Sequence, residues 1–226
     1  MKKTKAPKYS IITLFPEAIK PYLDASIIGR AQADKKIKIT YHNPRDYSED
    51  KHARVDRRPY GGGPGMVLAP EPYLRAASKA LGKKTLGKKT LTIFFTPAGA
   101  QFDQIMAKKL AGYDHLLFIT GHYEGVDGRV AKILKAKEVS IGPYVLTGGE
   151  LPAATMIDAI VRNIPTVLGK EESREDERVA SPEVYTRPEI LEWKGKKYRV
   201  PKVLLGGNHK LIDEWRLQQQ EKRKGK

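Results

Sequence analysis

Three glycine-bearing segments follow apolar runs and carry residue types that a ligand site needs. Thr96-Pro97-Ala98-Gly99 follows the run ending at Phe95, and Thr120-Gly121-His122-Tyr123-Glu124-Gly125 follows the next. The third is Ile141-Gly142-Pro143-Tyr144-Val145-Leu146-Thr147-Gly148-Gly149-Glu150. Glycine lets a backbone approach a flat ligand closely, so its N–H and C=O groups can read the ligand's edges. In open α/β sheets, ligands sit beyond the carboxyl ends of the strands, where such loops converge. Each segment alone reads equally well as a tight turn. Together they point to a small-molecule pocket. None spells G-x-G-x-x-G, which argues against a nicotinamide dinucleotide.

A fourth cluster, Arg57-Arg58-Pro59-Tyr60-Gly61-Gly62-Gly63-Pro64-Gly65-Met66, differs in kind. It closes a long segment, Asn43–Met66, that also carries Arg45, Lys51, His52, Arg54 and Tyr47. Cations mixed with aromatics suit RNA, whose splayed bases stack while its phosphates are neutralised. Loops of this length are uncommon without a function.

Other chemistries are excluded. The chain has no cysteine, which removes disulfides, Cys-based zinc sites, iron–sulfur clusters and Cys nucleophiles. His42, His52, His115, His122 and His209 show no H-E-x-x-H or other paired spacing, so no protein metal site is expected. No G-x-S-x-G elbow occurs. The tandem repeat Leu81–Thr90, LGKKT-LGKKT, resembles a phosphate-binding loop, but Lys89 stands where the Mg²⁺-binding hydroxyl belongs. It also precedes a strand instead of a helix, so a basic hairpin or loop is the better account.

These segments need a scaffold, and the apolar pattern supplies one. Tyr9–Phe15, Lys36–Tyr41, Thr90–Phe95, His115–Thr120 and Glu138–Ile141 read as strands. Ser26–Ala33, Pro70–Leu81, Phe102–Ala111 and Val126–Leu134 have helical spacing, and a final helix is expected over Glu150–Asn163. The alternation predicts an α/β sandwich with a mostly parallel sheet. After Leu168, Gly169–Arg178 is almost entirely charged and reads as a solvated linker. One further helix, opened by Asn208 and striped by Leu211, Ile212 and Trp215, precedes a polar tail expected to fray.

The 226 residues carry 42 Lys+Arg against 26 Asp+Glu, a formal charge of +16 that suits a polyanionic partner. No apolar run approaches the roughly 18 residues of a membrane helix. The basic start, MKKTKAPKYSIITLF, ends at Pro16-Glu17 without a signal-peptide cleavage pattern, so a cytoplasmic protein is expected.

The motifs Arg58–Met66, Gly121–Gly125, Tyr144–Ala153, Tyr185-Thr186-Arg187-Pro188 and Gly207-Asn208-His209, in that order, resemble the bacterial tRNA (guanine-N1)-methyltransferase family. The resemblance runs from about Tyr9 to Arg216. It implies a SPOUT-class enzyme that modifies the guanosine 3′ of the anticodon. It further implies S-adenosylmethionine as methyl donor, an obligate homodimer with a shared active site, and a trefoil knot at the cofactor site. Mg²⁺ is a family expectation for activity. The alternative is a non-catalytic or differently targeted SPOUT RNA-binding protein.

By resemblance, Gly121, Ile141, Gly142, Pro143, Tyr144, Val145 and Leu146 match cofactor-binding positions, with Thr96 and Pro97 forming another wall. Glu124 is assigned to the methionine amine or an ion. The catalytic pair maps onto Arg162 and an Asp of the charged linker, taken as Asp176, with Glu177 the ungapped alternative. The domain plan is 1–168 for the methyltransferase domain, 169–186 for a linker and lid, and 187–226 for a reduced tRNA-binding region. Pro143 departs from a usual acidic residue and Arg57 from a usual Asp; relatives continue through further helices beyond Trp215-Arg216.

Overall fold

A computed structural model describes residues 6–82, 89–168 and 183–224. The chain forms two compact units, Met1–Leu168 and Gly169–Lys226. The first is built on five parallel strands: β1 (Lys8–Ile12), β2 (Lys38–His42), β5 (Thr90–Gln101), β6 (His115–Ile119) and β7 (Lys137–Ser140). Their order across the sheet is β2-β1-β6-β5-β7. The central strand β6, HLLFI, is buried at every position, as a strand covered on both faces must be. Its side chains alternate between two cores. Leu116 and Phe118 pack with α1 (Pro16–Leu23), α2 (Ser26–Ala33), α4 (Gln104–Ala111) and α6 (Glu150–Val161). Leu117 and Ile119 join Tyr73, Ala76 and Ala77 of α3 (Pro70–Leu81) and Val130 of α5 (Gly128–Ile133). The period-2 pattern of the strands therefore becomes a three-layer α/β/α unit.

The mostly parallel α/β sandwich expected from the sequence is the one observed, with local differences. Helix α1 is additional to the helices expected from spacing and contains Pro21; Pro16 at its first turn costs nothing there, since that N–H has no helical partner. Helix α4 starts at Gln104, two residues later than its apolar pattern, because Asp103 caps it and accepts from Met106 N at 2.7 Å. Asp127 likewise caps α5, accepting from Arg129 N at 2.9 Å. The long basic segment holds a 3₁₀ turn, Pro44–Tyr47, and a two-residue strand, β3 (Asp56–Arg57), that pairs antiparallel with β4 (Val67–Leu68) just beyond it.

The largest difference concerns β5. It runs through the first glycine segment instead of ending before it. Phe95 and Ala100 both align with Val139 of β7, so the intervening residues bulge from a strand that resumes its pairing. Gly99 makes this possible: a β-carbon there would stand 2.5 Å from Val139 N.

In the second unit, β8 (Ile190–Trp193) and β9 (Lys196–Arg199) form an antiparallel hairpin. Lys194 and Gly195 turn it with φ of 49° and 73°, the positive pair of a primed turn. A lysine at the first turn position hid this hairpin in the sequence. Helix α7 spans His209–Lys224, so the polar tail expected to fray is helical through Lys224. Asn208 accepts from Leu211 N at 3.4 Å, in the expected capping role. Most of the charged linker, 169–182, lies outside the described residues, and the LGKKT repeat does so over 83–88.

Candidate functional site

The three glycine segments converge. The bulge of β5, the loop after β6 and the loop after β7 enclose a cavity of about 350 Å³ at the carboxyl ends of these strands. That volume suits a ligand of cofactor size. Thr96 and Pro97 line one wall, Gly121 and Glu124 another, and Ile141, Gly142, Tyr144, Val145 and Leu146 a third. Pro143 is not among the lining residues.

Local chemistry holds each loop in place. In the third loop, Ser140 Oγ donates to Gly142 O at 3.0 Å, and Tyr144 Oη donates to Ile141 O at 3.3 Å. A β-carbon on Gly142 would lie 2.2 Å from the Tyr144 ring, so only glycine lets that ring fold back. Tyr144 and Val145 stay 53% and 81% exposed, which leaves apolar area at the mouth. The loop after β6 turns at Tyr123, whose φ of 57° is unusual for a residue with a side chain, and Gly125 N closes on His122 O at 2.9 Å. Gly149 N donates to Gly121 O at 3.0 Å, joining the second loop to the third.

Sequence reasoning missed a polar cluster at this junction. Glu150, the first residue of α6, is buried. Its carboxylate accepts from Thr13 Oγ1 at 2.5 Å and Thr120 Oγ1 at 2.9 Å, and lies 2.7 Å from His122 Nε2. His122 also lines the cavity and meets Phe15 edge-on at 4.7 Å, while the Arg45 guanidinium lies 5.5 Å above the Phe15 ring. An acidic residue opening an otherwise apolar helix after Gly-Gly was the available signal. At the start of α5, the Arg129 guanidinium and N–H hold the Asp127 carboxyl below the usual carboxylate range.

Arg162 stands elsewhere. It follows the last turn of α6 and borders a groove of about 490 Å³ between α1 and α6, with Ile19, Tyr22, Leu151 and Asp158. Tyr22 Oη donates to the Asp158 carboxylate, which pushes the phenol pKa up. Ten residues separate Arg162 from Pro152, the α6 residue that lines the cavity, so they lie about 15 Å apart along the helix. One chain therefore does not bring Arg162 together with the glycine loops. Asp176 and Glu177 lie outside the described residues. Among the described residues, no group of three or more His, Cys, Asp and Glu side chains could hold a metal ion. No described helix is long and apolar enough to cross a membrane.

A parallel α/β sheet with glycine loops enclosing a ligand-sized cavity defines a class of protein that binds small molecules at its strand ends. Comparison with known sequences narrows this. The family described as tRNA (Guanine-1)-methyltransferase TrmD matches over residues 7–226. A tRNA (guanine-N(1)-)-methyltransferase of Staphylococcus aureus strain JH9 is 48% identical over 217 residues, covering 94% of this chain and 85% of the relative. A protein of the same name from Nitrosococcus oceani is 44% identical over 216 residues, covering 94% and 83%. One from Clostridioides difficile strain 630 is 43% identical over 213 residues, covering 92% and 90%. The chain belongs to the tRNA (guanine-N1)-methyltransferase family.

Proposed function

We propose that this protein transfers a methyl group from S-adenosylmethionine to N1 of the guanosine 3′ of the anticodon in tRNA. The observation that carries the reading is the convergence of three glycine loops on one cavity, in a chain that matches the family over residues 7–226. The lining fits the donor: the loop backbone over Tyr144–Leu146 borders the cavity, where its polar groups can read an adenine edge, and the Glu124 carboxylate complements a cation. When bound, S-adenosylmethionine supplies an electrophilic methyl on a sulfonium. The exposed rims at Tyr144 and Val145 would be covered by the RNA and exclude water from the transfer.

Guanine N1 carries a proton at neutral pH and is a poor nucleophile until that proton leaves. Asp176 is the assigned base, with Glu177 the neighbouring alternative; an unperturbed Asp, with a pKa of about 3.9, needs its surroundings to assist. The Arg162 guanidinium supplies that assistance by stabilising the negative charge that develops on O6. Because Arg162 lies at the end of α6 remote from its own cavity, the reading includes a homodimer in which the two chains complete each site. It also includes a knotted path for the three loops, and the plan of 1–168, 169–186 and 187–226 with the charged linker as a lid.

The test is methyl transfer to unmodified tRNA from labelled S-adenosylmethionine, with the modified base mapped by mass spectrometry. The wild type is expected to modify the guanosine 3′ of the anticodon. Asp176→Ala and Arg162→Ala are each expected to lose about 10²-fold or more in turnover while still binding S-adenosylhomocysteine. Cofactor binding without transfer by the wild type would sink the reading. Loss confined to Glu177→Ala would move the base by one residue.

A further inference from the structure

Glu150 is 6% exposed and has three side-chain partners drawn from two segments, the end of β1 and the loop after β6. Thr13 lies just past β1, Thr120 just past β6, and His122 in the loop that lines the cavity. Both threonine hydroxyls reach Oε1, at 2.5 and 2.9 Å, with the single hydrogen of Thr120 shared between Glu150 and Ile12 O, also at 2.9 Å, while His122 Nε2 lies 2.7 Å from Oε2. A carboxylate that is ionised accepts only, and an imidazole nitrogen facing one at this distance is then the donor. In the neutral ring this leaves Nδ1 as the acceptor and fixes both tautomer and orientation.

The third loop is shaped around this pair. A β-carbon on Gly148 would stand 2.5 Å from His122 Cε1 and 2.7 Å from Glu150 Oε2. One on Gly149 would stand 2.7 Å from Thr120 Cα. His122 and Gly148 also form an isolated backbone bridge. Glu150 thus gathers the second and third loops where His122, Gly148 and Gly149 border the cavity.

We propose that Glu150 is a positioning residue for methyl-donor binding: from outside the cavity, it fixes the His122 ring in one orientation and tautomer on the cavity wall. The inference rests on the cofactor reading above. Glu150 does not line the cavity, so its effect on a bound ligand must pass through His122 and the adjoining glycines. Partners that orient ligand-contacting side chains typically matter by about 10- to 100-fold in affinity at comparable metal sites.

The experiment compares wild type, Glu150→Gln, His122→Gln and the double variant, by calorimetric binding of S-adenosylhomocysteine and by steady-state methylation of tRNA. Glu150→Gln is expected to weaken binding and raise KM for S-adenosylmethionine about tenfold, with kcat changed less than about threefold. Adding Glu150→Gln to His122→Gln is expected to cost less than about twofold more, because the second change acts through the first. In the wild type, ¹⁵N spectra of the imidazole should report the Nε2–H tautomer at His122. Wild-type affinity in Glu150→Gln, fully multiplicative effects in the cycle, or an Nδ1–H ring in the wild type would each overturn the inference. If Glu150→Gln fails to fold, Thr13→Val decides instead: it removes one donor and keeps the charge, and should raise the same KM while Thr13→Ser does not. A wild type that fails to bind S-adenosylhomocysteine defeats the cofactor reading itself; a wild type that binds, with variants that match it, defeats only the role of Glu150.

Discussion

Gly65 packs directly on Glu124: a β-carbon at Gly65 would stand 2.5 Å from Glu124 Oε1 and 2.8 Å from its Cγ. Glu124 N donates to Met66 O at 3.1 Å, and Leu68 N donates to Gly125 O at 2.9 Å. The glycine-rich segment is therefore stitched along the loop after β6, and its backbone sets the position of a carboxylate that lines the cavity.

Gly65→Ala should consequently be worse for turnover than Gly62→Ala. Both positions hold positive φ, +87° and +80°, so both substitutions strain the backbone by about 1–2 kcal/mol. Only at Gly65 must a side chain of the cavity also move, since nothing lies within 4 Å of a β-carbon at Gly62. Steady-state methylation should fall at least about tenfold further in Gly65→Ala, with similar melting temperatures for the two. Equal losses would show that the contact does not matter.

Arg162→Ala should separate turnover from cofactor affinity. The residue is exposed and sits about 15 Å along α6 from the cavity-lining Pro152. Binding of S-adenosylhomocysteine should stay within about twofold of wild type while kcat falls. Mixing Arg162→Ala with a second inactive variant, Asp176→Ala, tests the shared site: heterodimers regain activity only if each chain supplies a different group.

Stability should decline on the acid side of neutrality because of His42. Burial lowers its pKa first, and Lys8 and Lys79 lower it further. The unfolded chain, with a histidine near 6.5, then takes up a proton before the folded one does. Stability attributable to His42 is complete above about 6.5 and is lost as pH falls from there through the depressed folded value. Urea denaturation between pH 7.5 and 5.5 should show a steeper decline for wild type than for His42→Gln. Parallel slopes would refute the assignment.

Gly99→Ala should destabilise the sheet where it shapes the site. The added methyl would collide with Val139 N, a backbone atom that cannot rotate away. A cost of about 1–3 kcal/mol is expected by denaturation, accompanied by weaker cofactor binding because Thr96 and Pro97 ride on the same bulge.

Affinity for tRNA should depend strongly on salt. Residues 187–226 carry 12 Lys/Arg against 5 Asp/Glu, and the segment 43–66 adds Arg45, Arg54, Arg57 and Arg58. The logarithm of the binding constant should fall linearly with that of salt, by about 0.7–0.9 for each phosphate neutralised. Arg57→Ala or Lys196→Ala should each reduce that slope by about one if the residue contacts a phosphate.

The sheet was legible because its strands announce themselves: HLLFI between turn residues admits few other readings, and two of the three glycine segments fall at strand ends. The bulge was not legible, since Thr96-Pro97-Ala98-Gly99 looks like any turn until Val139 is seen pairing on both sides of it. Nor was the Glu150–His122 pair, whose members lie 28 residues apart and read separately as a helix-opening acid and a lone histidine. The second hairpin escaped because its turn begins with lysine, which rarely accepts positive φ. Arg162 could be placed on a helix end from sequence, but its separation from the cavity needed the length of α6.

Val139 pairs with residues on both sides of the bulge, so closing the sheet edge and forming one cavity wall are a single event. Ligand occupancy and edge pairing are then thermodynamically linked, with each favouring the other by the mass-action gain of binding. Hydrogen exchange at Gln101 and Ser140 should slow when S-adenosylhomocysteine is added, more than exchange on β1 and β2. In that sense the sheet edge doubles as a gauge of whether the protein is charged with its methyl donor.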